Sequence, residues 1–273
     1  MVQLLRTEWL KIKNYTAFLL LSIGFGIGVI ATNYIVFSVN KNIVGQMNTG
    51  GLVSAFSPYN FDMTWQTTSY ATGWLLMLPA LLIIILITNE FGYRTNRQNI
   101  IDGWSREQFI NVKLMLALIA AVVSTLLVIL TALTFGLFSG SDFSLKGFSH
   151  VGFFFLKALS YNLIAVFISV WIRRTGFAIG LYFIYLGAEN ILSQLLDVWS
   201  MQLKRNGTDL GGMGDYLPMN AADGLLTFPD NPLKNFAESS LPTEYTWVVL
   251  GFALVYLGLF YYLAKRKLSR SDL

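Results

Sequence analysis

A chain of 273 residues in which 55% are hydrophobic and only 12% charged holds about half the charge of an ordinary soluble domain, which excludes a soluble fold. Its net charge of +4 does not signal nucleic acid, because no soluble stretch is long enough to interleave basic and aromatic residues on one exposed face. Cysteine is absent, which excludes disulfides and thiolate metal sites.

Residues 2–13 place Leu5, Trp9 and Ile12 on one helical face, with Arg6, Glu8, Lys11 and Lys13 filling much of the remainder. This pattern predicts a helix lying in the membrane interface, with Trp9 at headgroup depth. The apolar run that follows is too long for the core of a cleaved signal. A bilayer is crossed by about 20 apolar residues in a helix, and the stretches 17–37, 67–88, 114–138, 151–172, 176–196 and 245–264 meet that length. The expectation is an all-α membrane protein, one permease-like domain over 1–273, with six transmembrane helices.

The first span carries Gly24 and Gly28, and the fifth carries Gly176 and Gly180. Small residues four apart let two helix backbones approach closely. Pro79 in the second span removes an internal hydrogen bond and predicts a bend there. The segments 38–66 and 197–244 are too polar to span and too long for simple turns; the second is expected to pack short helices around 219–227 on the mouth of the bundle.

Most of the 19 basic residues fall on one side. With both termini in the cytoplasm, Arg6, Lys11, Lys13, Arg94, Arg97, Arg106, Lys113, Arg173, Arg174, Lys265, Arg266, Lys267 and Arg270 lie inside. Lys41, Lys146, Lys204, Arg205 and Lys234 lie outside. That asymmetry predicts the orientation. Lys157 and Glu189 are the charges placed well inside spans, each about 16 residues from the turn at Arg173 and Arg174, or roughly 24 Å at helical rise. Equal heights on neighbouring antiparallel helices predict an ion pair, either structural, part of a polar vestibule, or lining a substrate path.

Catalytic signatures are missing. There is no HExxH, GxSxG, GxxxxGK[ST] or GxGxxG pattern, and His150 alone is available to activate a nucleophile. Its position near the start of the fourth span reads as an interfacial polar residue. The midplane is nearly free of charge, unlike that of an ion-coupled transporter. What stands out instead is residues 89–113, a charged, helix-compatible insert between the second and third spans. Charges this dense must lie at a membrane surface.

This insert, Glu90-Phe91-x-x-Arg94-Thr95-x-Arg97-Gln98-x-x-Ile101-x-Gly103-x-Ser105-Arg106-x-x-Phe109 followed by Lys113, resembles the cytoplasmic loop between the second and third helices of ABC-2 type permeases, the membrane subunits of type-2 ABC exporters. The order of parts is also similar, from a leader with Thr7-Glu8-x-x-Lys11 through six spans to a large outer segment before the last helix. The resemblance implies that 2–13 form an elbow helix and that 89–113 carry a coupling helix docking on a separate ABC ATPase subunit. Glu90, Arg94, Thr95, Arg97, Gln98, Ser105 and Arg106 are then the residues that contact the ATPase or fix the loop.

It also implies a second permease subunit, identical or different, against the first and fifth spans, which would place Gly24, Gly28, Gly176 and Gly180 at a dimer interface. ATP and Mg²⁺ would sit on the partner ATPase, with no cofactor in this chain, in a bacterial inner membrane. The cargo is unnamed, and the aromatic content favours an amphiphilic one. The other reading is a sensing or assembly module that grips a soluble ATPase without moving cargo.

Overall fold

The structure, a computed structural model, describes residues 2–46, 59–101, 103–229 and 245–269; the side chains of 40–46 and of Arg97 lie outside the described set. The described helices are α1 (Val2–Ile12), α2 (Thr16–Gln46), α3 (Phe61–Gly73), α4 (Met77–Gly92), α5 (Thr95–Ile101), α6 (Arg106–Phe138), α7 (Ser149–Ile172), α8 (Thr175–Arg205), α9 (Asn220–Asp223) and α10 (Thr246–Ser269), with 3₁₀ turns at Trp74–Leu76 and Met213–Tyr216. Six helical paths among the described residues are long and apolar enough to cross a bilayer: α2, α3 through α4, α6, α7, α8 and α10. The chain is a multi-pass membrane protein with an all-α bundle.

α7 is the post around which the bundle is built. It packs against α3, α4, α6, α8, α9 and α10, and 67% of its most apolar stretch is buried, against 17% for α2, α8 and α10. A helix apolar on every side has no reason to keep one face outward. Ala117 and Ala121 of α6 are fully buried, and their small side chains leave room for Asn162 of α7 to donate to the Ala117 carbonyl at 3.0 Å. Small residues four apart thus act here through alanine.

The second span departs from a single helix over 67–88. It runs from Phe61 to Gly92 and is interrupted by the 3₁₀ turn at Trp74–Leu76. The cause is Pro79, which cannot donate to the Leu75 carbonyl one turn earlier. The irregularity therefore falls on the turn before the proline.

Two helices overrun their expected ends, α2 reaching Gln46 and α8 reaching Arg205. Loss of hydrophobicity marks where a bilayer stops, whereas a helix continues as long as its residues tolerate helical geometry. Of the long polar segments, 47–58 and 230–244 lie outside the described residues. The second expectation for 197–244 is met in reduced form, by the four-residue α9.

Polar groups within the bundle are mostly satisfied locally. Asn33 of α2 donates to Val29 and to Thr72 of α3, and the Tyr59 hydroxyl donates to Asn33. Thr64, Thr67, Thr88, Thr125 and Thr131 return their hydroxyls to the preceding helical turn, as lipid surroundings demand. α3 and α6 meet closely at Gly136, where an added Cβ would stand 2.7 Å from the Phe61 ring. Gly136→Val should therefore displace Phe61 and cost about 1–3 kcal/mol, seen as a lower unfolding temperature in detergent with the helix content unchanged.

Candidate functional site

The loop between the second and third spans is anchored by a cluster of buried charges. Lys113, in the second turn of α6 and 1% exposed, bonds Glu8 of α1 at 2.6 Å and Glu90 of α4 at 2.7 Å. Lys11 of α1 closes the group, 3.0 Å from Glu8 and 3.5 Å from Glu90, and it donates to the Asn99 side chain of α5 at 3.2 Å. Its ammonium also sits 5.6 Å from the centre of the Trp104 ring, and that of Lys113 lies 5.1 Å from Phe109. Two carboxylates and two ammoniums thus tie α1, α4, α5 and α6 at one point.

Mutual neutralisation is what lets Glu8, Glu90 and Lys113 be buried, with Lys11 closing the group from its exposed edge. Burial disfavours the charge on Glu8, yet Lys113 and Lys11 outweigh it and hold the carboxyl below the ordinary glutamate value. Burial likewise opposes charge on Lys11, and Glu90 and Glu8 outweigh it, holding the ammonium above the usual lysine value. Between α1 and α4 lies a cavity of about 200 Å³ lined by Glu8, Lys11, Tyr15, Asn89, Glu90 and Tyr93 among others. Asn89 donates to the Tyr15 hydroxyl at 2.8 Å and accepts from Thr175 of α8 at 3.4 Å, while Thr88 meets Thr175 at 2.9 Å. The same end of the bundle is therefore laced from α1 to α8.

The remaining loop residues divide between fastening and display. Thr95 donates to the Glu90 carbonyl at 3.4 Å. Ser105 caps α6, its hydroxyl accepting from the Gln108 amide while Gln108 reaches back to the Ser105 amide. Arg94, Gln98 and Arg106 are exposed, beside Tyr93 and Ile101 at 79% and 83%. Arg94 has φ 58, the left-handed conformation that favours glycine, at the corner between α4 and α5. Arg173 takes the same conformation at the α7–α8 corner, with φ 55 and its guanidinium 5.1 Å from the Phe91 ring.

Of the two roles expected for Glu90, the structure shows the second, fixing the loop from within. Glu8, Lys113 and Asn99 complete the cluster and were not singled out as site residues. The signal for Glu8 and Lys113 lay in two lone charges of opposite sign flanking apolar runs; Asn99 carried none.

Lys157 and Glu189 do not bond one another, which corrects the expected pair. Lys157 of α7 lies 3.2 Å from Asp223, and Glu189 of α8 accepts from the backbone amides of Met219 and of Asn220, the latter at 2.9 Å. The connection between α8 and α10 folds back to their level and supplies both partners. Gly28 also differs, since a Cβ there would meet Leu75 of the same chain at 3.1 Å. Gly24, Gly176 and Gly180 are exposed, with nothing described within 4 Å of an added Cβ. His150 is occupied by its own turn, Nδ1 lying 2.9 Å from the Gly147 carbonyl. No group of three or more metal-ligating side chains occurs among the described residues.

No protein-family model matches the chain, and no curated protein matches it either.

Lys113→Met strands Glu8 and Glu90 together and should cost about 3–5 kcal/mol, partly restored by adding Glu90→Gln; thermal unfolding in detergent reads both. A pH dependence follows from Glu8 and Lys11. The depressed folded value of Glu8 gives a contribution complete above the ordinary glutamate range, about 4.3, and lost as pH falls through the folded value. The raised value of Lys11 gives one present at and below its ordinary range, about 10.4, and lost as pH rises through the folded value. A nitroxide on Thr7→Cys, the sole thiol in the labelled protein, should hold its mobility from neutral pH up to about 10 and loosen as pH rises further.

Proposed function

We propose that this chain is the membrane-spanning subunit of an ABC-2 type exporter, with 89–113 as the coupling segment for a separate ABC ATPase and α1 as the elbow helix. The observation that carries the reading is the Glu8–Lys113–Glu90–Lys11 cluster. A helix of seven residues, α5, is too short to hold its own shape in water, and the cluster makes it a rigid extension of the second and third spans. A push on α5 is then passed to α4, whose far end meets the 3₁₀ turn before Pro79. That is the mechanical requirement for a motor that sits outside the membrane.

The outward side chains support the docking surface. Exposed Arg94 and Arg106 offer charge-assisted hydrogen bonds, and Ile101 and Tyr93 give apolar contact at the tip. An arginine held at φ 58, where glycine would be unstrained, is consistent with a need for its guanidinium. The exposed faces of α2 and α8 around Gly24, Gly176 and Gly180 suit a second permease subunit, since small residues permit close backbone contact. Most basic residues, and both termini, fall on the cytoplasmic side in this reading.

The test is purification of the full chain from native membranes. A Walker-motif ATPase should accompany the wild type, and Arg94→Glu with Arg97→Glu should reduce its recovery by roughly tenfold. Arg94→Gly relieves the backbone while removing the charge, so it should lose ATPase while gaining stability by a few tenths to about 1 kcal/mol. Undiminished recovery in the double reversal would refute the docking assignment. ATP-driven flux into vesicles separates export from a sensing or assembly role.

A further inference from the structure

Besides Glu90 and Lys113, the described spans bury two further charges, Lys157 and Glu189, and these two do not pair with each other. Lys157 and Glu189 are 7% and 5% exposed, and both find their partners in residues 219–223 of the α8–α10 connection, with the second oxygen of Glu189 buried and without a hydrogen-bond partner among the described residues. Lys157 Nζ lies 3.2 Å from one oxygen of Asp223, and the Tyr161 hydroxyl, one turn further along α7, donates to the other at 3.0 Å. Two donors on one helix face thus hold the two oxygens of one carboxylate. Gly73 of α3 leaves room for the ammonium, since a Cβ there would stand 3.0 Å from Nζ.

At the other end of the segment, Glu189 accepts from two successive main-chain amides. A further hydroxyl, that of Tyr182 on α8, is fully buried and has no hydrogen-bond partner among the described residues, within electrostatic range of Asp223.

We infer that Lys157, Tyr161 and Glu189 form an intramembrane binding site for a peptide-like ligand, a carboxylate with neighbouring amide N–H groups, and that residues 219–223 are its tethered occupant. Charges on adjacent spans are neutralised most simply by each other, and here they are held apart by a segment whose only regular structure is one helical turn. The carboxylate enters from the mouth, where the Asp223 side chain remains 31% exposed. Every contact the segment makes is one that a free peptide also makes. The tether gives the segment an effective concentration in the millimolar range, so a free ligand competes well only after the segment's grip is loosened. This inference concerns the ligand and not the motor, and its test needs no ATPase.

The experiment uses the full chain in nanodiscs without ATP. The probe is a fluorophore-tagged peptide of residues 217–225, Leu-Pro-Met-Asn-Ala-Ala-Asp-Gly-Leu, alongside the same peptide with asparagine in place of aspartate. Asp223→Ala should bind the aspartate peptide roughly tenfold more tightly than the wild type does, and adding Lys157→Met or Tyr161→Phe should return it to the wild-type level. The asparagine peptide should gain nothing. Equal binding of the two peptides to Asp223→Ala would overturn the inference, as would binding indifferent to Tyr161→Phe. That last variant removes one oxygen, so it decides the matter even if Lys157→Met fails to fold.

Discussion

Four charges at one end of the bundle determine what the rest of the molecule is able to do. Lys113 is buried between Glu8 and Glu90, and Lys11 completes the balance. Glu8, Glu90 or Lys113 charged and alone in such surroundings would cost several kcal/mol. Together the four cancel, and their side chains come from α1, α4 and α6, with Asn99 of α5 joined through Lys11. A short amphipathic helix, a connecting loop and two spans are therefore joined at one point, and α5, too short to be stable alone in water, is held through Asn99.

The opposite end is organised differently. There the spans supply side chains and the connecting segment supplies their partners. Besides Lys157, Tyr161 and Glu189, Asp197 of α8 accepts from the Gly214 amide at 2.9 Å, Gln66 of α3 donates to Thr227, and Tyr256 of α10 donates to the Tyr216 carbonyl. These hydrogen bonds and ion pairs to a segment of short turns are joined by burial of Met219, Ala221, Ala222, Leu225 and Leu226. A rigid end and an exchangeable end are joined by α7, the most enclosed helix of the six.

What was legible in the sequence was whatever depends on hydrophobic run length. The six spans follow from apolar stretches, since lipid imposes these lengths directly, and a helix over the leader follows from the spacing of Leu5, Trp9 and Ile12. Pairing was much less legible. Lys157 and Glu189 do stand in spans at matched heights, yet Asp223 intervenes, because a polar stretch between two spans gives no sign of how deep it will return. Glu90 looked like a surface charge because its neighbours Arg94 and Arg97 are charged. Its burial depends on Lys113, 23 positions later, and Glu8, which tertiary packing alone brings together. Ala117 and Ala121 make a close α6–α7 contact that the sequence did not announce, and Gly28 lies close to Leu75 of the same chain.

The length of α8 has a consequence for the membrane itself. From Asn190 to Arg205 the helix climbs roughly 24 Å, and residues 206–218 must cover the same height in reverse before Met219 and Asn220 reach Glu189. Apart from one 3₁₀ turn this descending stretch lacks regular structure, and unpaired peptide groups do not tolerate contact with acyl chains. Glu189 itself stands roughly 24 Å from the Arg173–Arg174 turn, near the limit of a hydrocarbon core about 30 Å thick, so α8 beyond it carries the returning stretch largely past the acyl chains.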